Sequence, residues 1–242
     1  MKPSKIALLS LGGIVVAAIV VTAVTGRIAL SRGGVARAQI GPDPGEMATV
    51  SHDLRGFNAI EIIGAWTVTV TQGDEWRVDL SSDENFVSTA EVSVRGERLS
   101  LKGTQTGSFF GRSDAQFLAE IVMPELEELD AAGGIRVTLS GFEGERLSID
   151  VAGATELTGE GGRYDELDLS MAGASNVQLA GFVFTDANVE LAGASNLELT
   201  MGGGELTGAL AGAGRIQYFG TVSREAVDVA GFGSIGPAEA DL

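Results

Sequence analysis

The chain has 242 residues with 35 glycines, 5 prolines, no cysteine, one histidine and a net charge of −17. Without cysteine there are no disulfides or thiolate sites, and a single histidine excludes metal sites built from several histidines. Such an acidic chain also does not suit nucleic acid, whose phosphate backbone is bound by basic surfaces. We therefore expect a protein with no catalytic residues, no metal, no cofactor and no nucleic-acid partner.

An apolar segment near the N-terminus predicts one transmembrane helix. Residues 6–25 are a run of 20 uncharged residues, which as an α-helix would span about 30 Å, the thickness of the hydrocarbon core. Lys2 and Lys5 precede the run, as is usual for a signal anchor. We expect residues 1–26 to tether the chain to the cell membrane in a single pass, with the C-terminal domain exported to the periplasm or cell surface. The alternative is a signal peptide cleaved near Ala38, which would release a secreted or periplasmic protein.

A linker and one long domain are expected to follow the apolar segment. Residues 27–56 contain glycine, proline and charged residues but no apolar period, which is typical of a linker. His52 lies at the far end of this linker, where we expect it to be solvated. We expect residues 57–236 to form the domain and the polar residues 237–242 a C-terminal tail.

A glycine-centred motif recurs along the second half of the chain. AGAS occurs at 172 and again at 192, with related motifs every 19 or 20 residues on either side. Apolar and polar residues alternate around each motif, which is the period of a strand with one buried face. We therefore predict an all-β fold, a single-stranded β-helix or β-solenoid, in which each repeat is one coil. The glycines predicted to form the structural turn of each coil are Gly64, Gly133, Gly153, Gly173, Gly193, Gly212 and Gly231.

The first half of the domain follows the same template less regularly. Gly64 has apolar residues at the same offsets as the later glycines, but 69 residues separate it from Gly133. Trp66 and Trp76 fall in predicted strands and are expected to pack in the core or an end coil, and residues 106–116 are expected to leave the stack as a loop. From its length the domain has room for about nine coils.

Acidic residues recur three and five positions before the repeat glycines. If the coils stack in register, these residues form a stripe on the outer surface, here called the acidic stripe. The stripe has three interpretations: a solvated face, a Ca²⁺ site, or paired carboxylates that act on a polysaccharide. Two adjacent phenylalanines in the predicted loop form a second candidate surface. The candidate binding residues are Asp130, Asp150, Asp168, Glu190 and Asp228 of the acidic stripe, together with Phe109 and Phe110.

A second column of residues is expected three positions after the glycines. Arg136 and Glu156 would lie in adjacent coils, where opposite charges predict an ion pair. Asn176 and Asn196 would likewise lie one above the other, which predicts a stacked amide ladder. Both features are interpreted as structural.

The order of segments also resembles a known family. The segments that carry the resemblance are, in order, GFNAIEIIGAWTVTVTQGD, WRVDLSSDEN, VSVRGERLSLKG and the AGAS coils. With them the chain resembles the bacterial "putative auto-transporter adhesin, head GIN domain" family, which is largely a domain of unknown function. Over residues 57–236 the resemblance implies a β-helical exported domain with a surface or adhesive role, and it carries over no catalytic or ligand-binding residues. We therefore expect a membrane-tethered binding domain whose partner is an envelope protein or glycan. The alternative is an enzyme acting on envelope polysaccharide, or a Ca²⁺-stabilised glycan-binding module, that uses the acidic stripe.

Overall fold

The computed structural model describes residues 47–83, 87–103 and 117–238. In this part of the chain 82% of the residues lie in β-strands. No helix within these three ranges has the length and apolar character needed to cross a membrane. The predicted anchor, residues 1–26, lies outside them, as do Phe109 and Phe110 of the second candidate surface.

Thirteen strands and one short 3₁₀ helix, Val87–Thr89, make up the described part of the domain. The strands are β1 Met47–His52, β2 Ala59–Gln72, β3 Arg77–Asp83, β4 Ala90–Arg95, β5 Arg98–Gly103, β6 Phe117–Met123, β7 Glu128–Ser140, β8 Glu143–Glu160, β9 Gly162–Gly173, β10 Asn176–Gly202, β11 Glu205–Thr221, β12 Arg224–Gly231 and β13 Ser234–Pro237.

Parallel pairing stacks the repeats as a β-solenoid of about six turns, so the predicted all-β solenoid is confirmed. One series of strands pairs in parallel, each with its neighbour in the series, in the order β2, β7, β8, β9, β10, β11 and β12. Each repeat glycine faces the next one: Gly133 pairs with Gly153, and Gly153 pairs with Gly173. The constant repeat length sets this register, because a shift of one residue would turn every apolar side chain outward.

The prediction of about nine coils is wrong, because much of the first half of the domain pairs in antiparallel fashion. Strand β3 lies antiparallel between β1 and β6, and β4 pairs antiparallel with β5. Strands β5 and β6 pair in parallel with the two halves of β2, on the edge that β7 does not occupy. This arrangement completes one coil and covers the N-terminal end of the stack without adding further turns.

The core is a set of apolar columns inside the stack. Leu129, Ile149 and Leu169 are successive register partners, and all are buried. A buried aliphatic side chain of this size stabilises the fold by about 1.5–3 kcal/mol. Trp66 is buried on β2 and packs against Phe117, whereas Trp76 lies just before β3 rather than within it.

The repeat glycines lie where two coils come too close for a side chain. Gly153 has a φ of 114°, which favours glycine, and a Cβ built there would overlap the carbonyl oxygen of Gly133. The other predicted turn glycines also have positive φ. Five of these glycines lie within continuous strands, so the corner there is a backbone bend, whereas Gly173 and Gly231 are the last residues of β9 and β12.

Candidate functional site

The register places the residues of the acidic stripe on one face of the solenoid. Asp130 pairs with Asp150, which pairs with Ser170, and Ser170 pairs with Glu190. The column then continues through a neutral alanine to Asp228. Asp168 belongs to the neighbouring column, two positions earlier in each coil. The stripe is therefore interrupted by small neutral residues.

Basic side chains from the β4–β5 hairpin neutralise the N-terminal end of the stripe. Arg98 forms ion pairs with Glu128, at 2.5 Å, and with Asp130. Burial is the main cause that raises the pKa of Asp130, and the Arg98 charge opposes this rise. Next to this cluster, the hydroxyl of Ser100 donates to Glu61 at 2.6 Å and lowers the pKa of that carboxyl. Nothing in the repeat pattern pointed to Arg98, because β5 precedes the regular coils.

The middle of the stripe is partly paired. Arg146 Nη2 lies 2.5 Å from Glu166, and its Nη1 lies 3.9 Å from Asp168. Among the described residues, Asp150 and Glu190 have no ion pair. Those residues also contain no group of three or more His, Cys, Asp or Glu side chains placed to hold a metal ion. The geometry is that of an acidic face that basic side chains neutralise in part.

A half-enclosed cavity of about 620 Å³ lies at the edge of this face. Its lining includes Glu127, Glu143 and Glu145, together with the ring of Tyr164. The Tyr164 hydroxyl donates to the carbonyl oxygen of Leu126 at 2.8 Å, and burial raises the pKa of that phenol. This hydrogen bond ties β9 to the segment that precedes β7.

A groove runs along the solenoid on the other side of the repeat glycines. It consists of two open cavities, of about 520 and 440 Å³, that share Asn176 and Asn196. We call it the corner groove. A polar column lines it, with small residues beside that column at the position directly after each glycine. The polar column is Thr67, Arg136, Glu156, Asn176, Asn196 and Arg215, and the small residues are Gly134, Ala154, Ala174 and Ala194.

Two predicted pairs lie in this polar column. The ion pair between Arg136 and Glu156 is confirmed, with Nη2 2.8 Å from the carboxylate. Asn176 and Asn196 lie in neighbouring coils, but no hydrogen bond joins their side-chain amides within the described part of the chain. Sequence reasoning therefore identified the column but not the groove, because the space depends on the small residues beside it.

Comparison with one solved structure supports the same fold, and two others are reported for their similarity alone. A putative adhesin from Bacteroides fragilis has a similar structure, with a TM-score of 0.63, 15% identity, and coverage of 82% of this chain and 100% of that one. A putative adhesin from Parabacteroides merdae gives a TM-score of 0.46 at 17% identity, covering 81% of this chain and 97% of that one. A putative lipid binding protein from Parabacteroides distasonis gives 0.41 at 15% identity, covering 81% and 98%. No curated protein matches the sequence.

The family match agrees with the resemblance seen in the sequence. The family model described as "putative auto-transporter adhesin, head GIN domain" matches residues 56–185, which is more than half of the chain. The match covers the strands from β2 to β9, which include the N-terminal strands after β1 and the first regular coils. The chain therefore belongs to the head GIN domain family.

Proposed function

We propose that this protein is a membrane-tethered, exported binding domain with an adhesion-like role at the bacterial cell envelope and no catalytic activity. Its partner is an envelope protein or a glycan. The apolar run at residues 6–25 supports the tether, and family membership supports an exported surface role. The observation that carries the proposal is the in-register stacking of surface columns over about six turns.

In-register stacking favours binding because it repeats one surface chemistry along a rigid axis. Each coil contacts only its neighbours, so a solenoid offers an extended surface whose side chains are held in fixed columns. The corner groove is such a surface, and it is open along its length. An extended partner can therefore contact several coils at once.

The acidic stripe supports a role without catalysis. Glycoside hydrolysis by paired carboxyls needs one acid and one base whose environments separate their pKa values. Asp130 has a raised pKa, but Arg98 already binds its carboxylate. In its own column Asp150 faces Asp130, whose carboxylate Arg98 already binds, on one side and Ser170 on the other.

The proposal is tested with the full-length chain embedded in fluorescent nanodiscs. The nanodiscs are mixed with isolated cell-envelope fragments of the source bacterium, and the fragments are sedimented at low speed. We expect saturable co-sedimentation above that of empty nanodiscs. Co-sedimentation equal to that of empty nanodiscs would contradict the binding function, and a chain that washes off membranes at alkaline pH would contradict the tether.

A further inference from the structure

We propose that the corner groove binds a linear, uncharged polysaccharide that lies along the solenoid axis. This inference rests on the proposed binding function and names the ligand class and its site. It depends on three properties of the groove: its length, its hydrogen-bonding groups, and an exposed aromatic ring at one end.

The length of the groove suits a polymer. The polar column runs from Thr67 on β2 to Arg215 on β11, with one residue per coil. Adjacent strands are about 4.8 Å apart, so the five steps between these ends span about 24 Å. A single small molecule would fill only part of this length, whereas an extended chain of several sugar units would contact every coil.

The hydrogen-bonding groups of the groove suit hydroxyls rather than charges. The amides of Asn176 and Asn196 both donate and accept, which is what sugar hydroxyls require. The charges of Arg136 and Glu156 neutralise each other in their ion pair, and the second cavity has one residue of each sign, Arg215 and Glu198. The net charge of −17 disfavours polyanions by long-range repulsion. A neutral glycan fits this surface better than an acidic one.

An exposed aromatic ring stands at the C-terminal end of the groove. Phe232 lines the second cavity and is 95% exposed, the highest exposure among the large apolar side chains described. It follows Gly231 as Ala194 follows Gly193, so it occupies the position held by small residues in earlier coils. A flat apolar ring beside polar groups can pack against the C–H face of a sugar ring.

The test measures binding of defined oligosaccharides to the full-length chain in nanodiscs by isothermal titration calorimetry. The neutral probes are cellohexaose, chitohexaose, mannohexaose, xylohexaose and laminarihexaose, and hexagalacturonate is the acidic probe. An uncharged decapeptide tests whether an extended peptide is the true ligand. We expect at least one neutral hexasaccharide to bind more tightly than the trisaccharide of the same sugar. Neither the acidic probe nor the peptide should compete with that hexasaccharide for the chain.

Matched variants locate the binding. Asn196→Ala removes an amide of the groove and is expected to weaken binding about fivefold, as for the loss of one hydrogen bond. Asn188→Ala is the control, because it is the same substitution on the same strand but lies in the column of Asp168, outside both cavities. Phe232→Ala should also weaken binding, and its full exposure keeps the thermal midpoint unchanged.

Three results would overturn the groove assignment. The first is the absence of binding by every neutral probe. The second is that hexagalacturonate or the peptide binds more tightly than the neutral hexasaccharides. The third is that the Asn196→Ala and Asn188→Ala variants bind the neutral hexasaccharide with equal affinity. If one of these occurs while the chain still co-sediments with envelope fragments, the groove is not the site but the binding function stands. If co-sedimentation fails as well, the function itself is contradicted.

Discussion

Replacing Gly133 by alanine should destabilise the stack at a single corner. Gly133 has a φ of 141°, and an added Cβ would overlap the carbonyl oxygen of Gly64 and lie 2.9 Å from its carbonyl carbon. Both contacting atoms are backbone atoms in a paired strand, so no side chain can rotate away. The unfavourable φ costs about 1–3 kcal/mol, and forced overpacking adds about 1–3 kcal/mol. For a domain of this size the combined loss lowers the thermal midpoint by roughly 5–20 °C.

The neighbouring residue offers a matched control. A Cβ at Gly134 has nothing within 4 Å, and the corresponding positions of the next coils are Ala154 and Ala174. Gly134→Ala is therefore expected to stabilise by about 0.4–1 kcal/mol, through the lower entropy of the unfolded chain. Circular dichroism melts of both variants measure the difference, and hydrogen exchange should show lost protection in β2, β7 and β8 for Gly133→Ala. Equal melting temperatures for the two variants would refute the close approach of the coils.

Three further substitutions test individual hydrogen bonds. Tyr164→Phe leaves the buried Leu126 carbonyl unpaired. It should lower the free energy of unfolding, measured in urea, by about 1–3 kcal/mol. Tyr218→Phe, whose hydroxyl bonds a partly exposed carboxylate, should cost less, and the reverse order would contradict this account. Ser100→Ala should raise the pKa of Glu61, as followed by NMR, because the Ser100 hydroxyl is the main cause of its lowered value. A carboxyl whose pKa is lowered in the folded state stabilises the fold above its unfolded-state pKa, so Ser100→Ala should be less stable than wild type at neutral pH. The difference should shrink as the pH falls through the folded-state pKa of Glu61 and disappear below it. A stability difference between Ser100→Ala and wild type that persists in acid would show that the lowered pKa of Glu61 is not its cause.

The repeats made the coil architecture predictable, because a constant period determines which residues face each other. Once Gly153 is placed over Gly133, the pairings of Asp130 with Asp150 and of Arg136 with Glu156 follow from counting. The alternation of apolar and polar residues around each glycine likewise places Ile149 in the core. Local pattern and global register agree in this half of the chain, which is typical of consistent repeat sequences.

The N-terminal half was less predictable, because its pairings are non-local and lack the repeat period. Nothing in a strand-like sequence indicates whether it will pair in parallel or antiparallel fashion, so a count from length predicts coils where the structure has the antiparallel strands β3 and β4. For the same reason the contact of Arg98 with Asp130, across 32 residues, could not be anticipated. The corner groove was missed for another reason: it is a space, and sequence patterns identify side chains rather than the gaps between them.

The most direct test of a binding role without catalysis is a degradation assay on purified envelope polysaccharides. Each polysaccharide is incubated with the full-length chain, and its chain length is followed by size-exclusion chromatography. We predict that every polysaccharide is recovered at its original length, including those that bind. Shortening by the wild type that is abolished in Asp150→Asn would contradict this account and identify the acidic stripe as an active site.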